Sequence, residues 1–318
     1  MKKSNHYLFI EAAVQRILSN DPEAAAFQEE FYRMKAGFAG EKKLKNTLKD
    51  FSFKSDYSIF YNFECVNDRG FTHQIDALLI TPYFILIFEV KQLSGKLFYK
   101  PVFHEFTRIT ENQTRDNFPN PFDQVYRHKL FIRQFLQKLN ITMPVLQLVV
   151  IANYRAELDI SLEGFPIIHL SGLPRHLEKL YAEYYHKKVN IAYICSQLEM
   201  LIQPLPARKT IARCRLKSGV LCQKCEYISQ MHYRHGIWQC EKCHSKSRVA
   251  LLEALHHYRV LISPHISNKE FREFTGIKST FAASKILARL NLEKYGATKG
   301  RYYLIPEDIY YKGDDDYQ

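Results

Sequence analysis

Glu89 and Lys91, a carboxylate and an ammonium separated by one valine, close the apolar run ILIFEVK. Asp76 sits inside the preceding apolar run, among Ile75, Ala77, Leu78 and Leu79. Side chains two apart on a strand share a side, so Glu89 and Lys91 face together. An aspartate in so apolar a setting carries a desolvation penalty unless it has a partner. Two carboxylates on adjacent strands can share a hard cation, Mg2+ or Mn2+, which polarises a phosphate oxygen and lowers the pKa of a bound water. Lys91 would orient that water or neutralise charge developing on the phosphate. The competing reading is an exposed ion pair at a strand end, worth little.

A second constellation is Cys222, Cys225, Cys240 and Cys243, in the spacing C-x2-C-x14-C-x2-C. Each pair can chelate from a tight turn, and the intervening stretch, with Tyr227 and Trp238, suits a short hairpin. Four thiolates meeting tetrahedrally make a closed structural Zn2+ site with no open position for chemistry. Cys65, Cys195 and Cys214 fit neither pair and read as buried small apolar residues.

The elements that must position these residues follow from periodicity. The first fifty residues read as helices, with Leu44 and Leu48 on one face of a helix opening after Gly40. YSIFYNFECV is a strand, NDRGF a turn, and HQIDALLITPYFILIFEVKQ two strands joined at Thr81-Pro82. GKLFYK is a further strand, and the polar, Asn-rich segment 101–120 reads as a loop. Pro121 stands where a first-turn proline belongs, opening a helix that puts Val125, Phe131, Ile132, Phe135, Leu136 and Leu139 largely on one face. VLQLVVIAN and PIIHL are strands, and helices follow through Ile202. QPLPARK reads as a linker.

The last seventy residues form a helical segment with a strand-like end. SRVALLEALHHYRVLI is a helix, and Ser267-Asn-Lys-Glu270 is a capping box opening a short helix that stops at Gly276. KSTFAASKILARL is a second helix with Ala283, Ile286, Leu287 and Leu290 on one face and Lys278, Lys285 and Arg289 opposite. LEKYGATKGRYYLI suits two strands around a turn carrying Lys299 and Arg301. This arrangement resembles a winged helix, which implies a helix in a major groove and a basic hairpin on phosphates. A packing or homodimer module is the alternative.

From AGFAGEKKL through HQIDALLITPYFILIFEVKQLSGKL to NPFDQ, about residues 33 to 150, the chain resembles the nuclease-related domain (NERD) of the PD-(D/E)xK, restriction-endonuclease-like superfamily. The residues that carry the resemblance are Gly40-Glu41, Ile75-Asp76, Glu89-Val-Lys91 followed by Gly95, and Asn120-Pro-x-x-Gln124. It implies metal-binding roles for Asp76 and Glu89, a catalytic role for Lys91 and accessory roles for Glu41 and Gln124. Some exonuclease branches carry Gln-x-x-x-Tyr on the later helix; here the fourth position on is His128, which reads as a solvated helix position. The cysteine module resembles a zinc ribbon.

The expected fold class is therefore α/β: a restriction-endonuclease-like mixed sheet flanked by helices, plus a small zinc ribbon and a winged-helix-like C-terminal module. The expected domains are 1–205 (core about 33–170), 210–247 and 248–312. The net charge is +12, and between Ala207 and Val249 ten Lys/Arg face two Glu, about two thirds of that excess. A local basic excess favours nucleic acid, here DNA, through counterion release. The longest apolar run is broken by Thr81 and Pro82 and is too short to cross a bilayer. Glu11 interrupts the N-terminal stretch too early for a secretory signal, so the expected compartment is the cytoplasm. The expected function is metal-dependent hydrolysis of DNA phosphodiesters. The rivals are an inactive nuclease fold that binds DNA or regulates, and a protein-interaction adaptor.

Overall fold

The computed structural model describes residues 2–160, 166–185, 188–297 and 300–310. Two helices lead, α1 (Asn5–Arg16) and α2 (Ala24–Asp50). By its internal contacts the chain divides into two compact units: Arg33–Leu205 with the first few residues, and Asn5–Tyr32 with Pro206 onward. The sequence had placed all of 1–205 in the first domain, whereas Asn5–Tyr32 clusters with the C-terminal unit.

In the first unit β1 (Ser58–Val66), β2 (Thr72–Ile80) and β3 (Ile85–Lys91) are followed by β4 (Gly95–Lys100), β5 (Glu105–Ile109) and β6 (Arg115–Phe118). Then come α3 (Pro121–Lys138), β7 (Val145–Ile151), β8 (Ala156–Asp159), β9 (Ile167–His169), α4 (Leu173–Tyr184) and α5 (Ile191–Leu201). The central sheet has the order β1-β2-β3-β7-β9, antiparallel through β3 and parallel from β3 onward. Strand alternation splits its buried residues between two cores. Leu78, Ile80, Ile85, Ile87, Val149 and Ile151 pack with α3 and α5, and Ala77, Leu79, Leu86, Phe88, Leu148 and Val150 with α2 and α4. Helices on both faces explain why β3 reads as an unbroken apolar run. Each of the Val, Leu, Ile and Phe side chains contributes about 1.5–3 kcal/mol on burial.

The junction between β2 and β3 is buried and closed by one side chain. The Thr81 hydroxyl accepts from the backbone N–H of Tyr83 and Phe84 and donates to the Phe84 carbonyl. Two sequence expectations fail here. Segment 101–120 is not a loop: β4, β5, β6 and β8 form a second sheet in the order β6-β5-β4-β8, and Phe106 and Thr107 are buried in it. Backbone pairing to a neighbour overrides the polar composition of these short strands. The helix with Leu44 and Leu48 does not open after Gly40 but runs through it from Ala24. A Cβ at Gly40 would come within 3.1 Å of Gln92, so the glycine permits close approach of α2 to the end of β3.

The second unit contains β10 (Val220–Leu221), β11 (Gln230–Arg234), β12 (Ile237–Cys240) and β13 (Lys246–Ser247), paired antiparallel in that order. After them come α6 (Ala250–Leu261), β14 (His265–Ser267), α7 (Asn268–Thr275), α8 (Thr280–Arg289), β15 (Glu293–Tyr295) and β16 (Tyr302–Leu304). β16 lies between β14 and β15 in a three-stranded antiparallel sheet. The capping box of Ser267 and Glu270 opens α7, and Gly276 ends it in the left-handed region. Cys222, Met231, Trp238 and Cys240 share one core with α6, α7 and α8. Within this unit α1 packs on α6, and its buried Arg16 donates to His257 Nδ1 and to the carbonyls of Lys217 and Gly219. Cys214, expected inside, is exposed in a short turn. Among the described residues no helix is long and apolar enough to cross a membrane.

Candidate functional site

The ladder between β2 and β3 ends at Ala77 and Phe88, and the next register step sets Asp76 against Glu89. There the Asp76 side chain replaces the backbone as partner: its Oδ2 accepts the Val90 N–H at 2.7 Å. On the other side of β2 the pairing with β1 skips Asp76 and Asn62, the latter with φ 49°. The skip breaks strict alternation, so that Ile75 joins the same core as Leu78 and Ile80.

Glu89 and Lys91 continue the face of Ile85 and Ile87, the face covered by α3. The Lys91 ammonium lies 2.7 Å from Glu89 Oε1 and donates to Gln124 Oε1 on the first turn of α3 at 3.0 Å. Asn120 caps that helix by accepting the Phe122 N–H, and Pro121 sets its first turn. Glu41 is half-buried on α2, directly after the glycine that lets the helix approach. The five residues expected to do chemistry are thus gathered at one end of the sheet.

Their electrostatics agree with that grouping. Burial, and then the charge of Glu89, push the Glu41 carboxyl up to about 7. Burial, then Glu89 and Glu41, raise Asp76 well above the usual carboxylate range despite the Val90 N–H and Lys91. Burial pulls Lys91 down, but Glu89 and Asp76 outweigh it and hold the ammonium up. Three carboxylates against one ammonium leave excess negative charge, and an all-oxygen donor set suits a hard divalent cation. Mg2+ or Mn2+ fits these residues chemically. The three carboxylates are not drawn as close together as the four cysteines, whose donor atoms make the one group of at least three potential ligands within 4.8 Å among the described residues.

His128 is not solvated, contrary to the sequence expectation: it is 3% exposed. Its Nδ1 lies 3.1 Å from Nδ1 of His73 on β2, a residue that sequence reasoning passed over. The Asn67 side-chain oxygen accepts two backbone N–H groups, which turns its amide nitrogen toward His73 Nε2. His73 therefore donates from Nδ1, and His128 accepts at Nδ1 and keeps its proton on Nε2. Burial lowers His128 to about 3 and His73 to about 4, so both rings are neutral at physiological pH. The ring of Phe131 stacks on His73 and completes the packing. A histidine in β2 and another four residues after Gln124 was the available signal.

In the second unit the Cys222 and Cys243 sulfurs lie 3.6 Å apart, and those of Cys225 and Cys240 3.8 Å apart. Four thiolates at zinc–sulfur distances of about 2.3 Å stand at nearly this separation, so the donor set fits Zn2+. Burial raises Cys240, but the Cys243 N–H, the Ser229 hydroxyl and the Lys242 N–H outweigh it and bring the thiol down to about 6, whereas the neighbouring Cys243 sulfur, then burial, push Cys225 up to about 12. Amides aimed at sulfur favour the thiolate that zinc requires.

Ala283, Ile286 and Leu287 face the core of this unit, whereas Lys278, Lys285, Arg289 and Arg301 are exposed. Lys299 lies outside the described residues. Phe281 is 79% exposed on the same helix. Part of the basic excess near the ribbon is neutralised within the unit: Lys209 pairs with Glu30, Arg213 with Glu273, and Arg215 with Asp21 and Glu23.

Residues 36–152 match the family model of the nuclease-related domain. The match contains Glu41, Asp76, Glu89, Lys91 and Gln124 and bears out the resemblance seen in the sequence. A solved structure, the small subunit (R.BspD6I2) of the heterodimeric restriction endonuclease R.BspD6I, is similar at 15% identity and a TM-score of 0.24, covering 52% of this chain and 80% of that chain. No curated protein matches.

Proposed function

We propose, from the premise that residues 36–152 are a nuclease-related domain, that the protein is a divalent-metal-dependent nuclease acting on DNA. The observation that carries this reading is the Lys91 ammonium held between Glu89 and Gln124 beside the raised carboxyls of Asp76 and Glu41. Asp76 and Glu89 would hold Mg2+ or Mn2+, which when bound polarises a phosphate oxygen and acidifies a water. Glu89 and Gln124 fix Lys91, so its charge is in place before the phosphate arrives, and no reorganisation is needed as negative charge develops. Glu41 completes the acidic wall, and Gln124 positions the lysine.

The C-terminal unit would hold the DNA. Its order helix–strand–helix–helix–strand–strand, with β16 between β14 and β15, supports a winged-helix reading. Exposed Lys278, Lys285 and Arg289 at the recognition helix and Arg301 at the wing suit phosphate contact. The thiols of a zinc ribbon fit a reducing compartment, the cytoplasm.

The test is incubation of the full chain with linear, circular and single-stranded DNA in Mg2+ or Mn2+. Cleavage that disappears in Asp76→Asn and Lys91→Ala proteins is expected. Absent cleavage, or cleavage unchanged in both variants, overturns the enzyme. Salt-dependent binding without cleavage would then leave the fold as a DNA-binding scaffold.

A further inference from the structure

Beside the candidate active site, within the first unit, a cavity of about 350 Å³ opens at the ends of β7 and β9. It is lined by Lys43 and Thr47 of α2, by Ala152 and Tyr154 after β7, by His169 at the end of β9 and by Ser171 after it. The Ala152 N–H donates to the Lys91 carbonyl at 2.9 Å, and Lys43 lies two residues beyond Glu41. The cavity therefore begins next to the backbone of the catalytic strand. None of its lining residues belongs to the constellation described above.

Lys43 is the informative side chain. Its ammonium donates to the Ala152 carbonyl at 3.2 Å, and with the Gln92 amide turned to satisfy both its ends, Gln92 Oε1 accepts from it at 3.2 Å. Both partners are neutral, and among the described residues no carboxylate lies within ion-pair distance. A cation fixed by neutral oxygens at the mouth of a cavity retains its attraction for an anion. Tyr154 at the rim is 81% exposed, with the Arg155 guanidinium 5.6 Å from its ring centre. An aromatic face backed by a guanidinium suits the stacking of a base. Thr47, His169 and Ser171 add hydrogen-bonding groups, and the volume is in the range of small-ligand pockets.

We propose that this cavity is a nucleotide subsite: it takes the phosphate of an unpaired nucleotide next to the cleaved bond on Lys43 and stacks its base on Tyr154. The substrate strand is then single-stranded or frayed at this position, because a base inside a duplex cannot reach the ring. The inference rests on the nuclease reading for its biological sense, but its test does not.

The test is fluorescence anisotropy of a single-stranded oligodeoxynucleotide binding to the full-length Asp76→Asn protein in Ca2+. Adding Lys43→Ala or Tyr154→Ala should each weaken binding about 5- to 20-fold, with Lys43→Arg restoring most of the loss. Unchanged affinity in both variants overturns the subsite, as does an equal loss for a fully paired blunt duplex. A 5′-phosphorylated and a 5′-hydroxyl strand separate the two sources of phosphate. If the Lys43 effect vanishes without the end group, the subsite takes a terminal monoester; if it persists, it takes an internal diester. In the active protein, KM rises while kcat stays within about twofold. A wild-type protein that binds in this manner but never cleaves retains the subsite and loses only the nuclease.

Discussion

The Lys91 ammonium lies 2.7 Å from the Glu89 carboxylate two positions back on the same strand, and Glu89 is only 7% exposed. The pair is therefore not a solvated strand end. Each group limits what the other can do: Glu89 keeps Lys91 charged, and Lys91 keeps Glu89 from standing as a buried charge without a counter-ion.

Replacing Lys91 with alanine should lower cleavage by about 10²- to 10⁴-fold, because the charge is needed only as the transition state forms. The same change leaves Glu89 unpaired and should cost about 1–3 kcal/mol of stability in metal-free protein. Added Mn2+ should recover that stability without recovering the rate. Thermal melts with and without Mn2+, beside a cleavage assay, separate the effects. A Lys91→Ala protein with wild-type turnover would remove Lys91 from the mechanism.

The raised carboxyls give the metal-free protein a definite pH dependence. A carboxyl with a higher pKa in the fold than in the unfolded chain binds more protons when native, so stability falls as pH rises through the gap. For Glu41 that window runs from its ordinary 4.5 to about 7, and Asp76 shifts in the same direction. The stability is fully present below the window and lost above it. Metal-free wild type should thus lose Tm between pH 5 and pH 7.5 relative to a Glu41→Gln/Asp76→Asn protein. The difference isolates the carboxyls from His73 and His128, whose lowered values act oppositely on acidification. Parallel Tm–pH curves for the two proteins would refute the prediction.

Much of this site was legible because its residues interrupt regular patterns. A charged pair at the end of an apolar strand and an aspartate inside the one before it stand out by periodicity, whereas Glu41 and Gln124 are marked only by the resemblance to the nuclease-related domain. What escaped depends on partners distant in the chain. The burial of His128 is decided by His73, and the strands within 101–120 are decided by pairing with β4. Arg16 meets acceptors some two hundred residues away, so no local pattern could place α1. Lys43, an exposed lysine on a polar helix face, gives no local signal, and its acceptor at Ala152 lies more than a hundred residues along the chain.

Gly95 marks where the chain leaves β3 for the second sheet. Its φ is +86°, and a Cβ there would stand 2.4 Å from the Ile109 carbonyl oxygen. Gly95→Ala combines a disfavoured backbone with a backbone clash and should destabilise by about 2–4 kcal/mol. A control at Gly70, where φ is +80° but a Cβ meets nothing within 4 Å, should lose only the smaller backbone term. Equal losses in urea titrations of the two variants would show that the approach of β4 to β5 is not what requires glycine.

The four-cysteine cluster, which could hold zinc, has an internal reporter. Trp238 is the single tryptophan, and at 3% exposure it lies in the same core as Cys222 and Cys240. Metal analysis of the purified chain should return about one zinc per molecule. Chelation, or Cys225→Ser, should shift tryptophan emission to the red, because the short strands β10 to β13 cannot hold this core by backbone pairing alone. The change should spread to α6 through the shared core and lower the Tm of the second unit. Tryptophan emission that is indifferent to zinc removal would mean that packing against α6, and not the metal, holds the ribbon. The four sulfurs would then be a ligand set without a folding role.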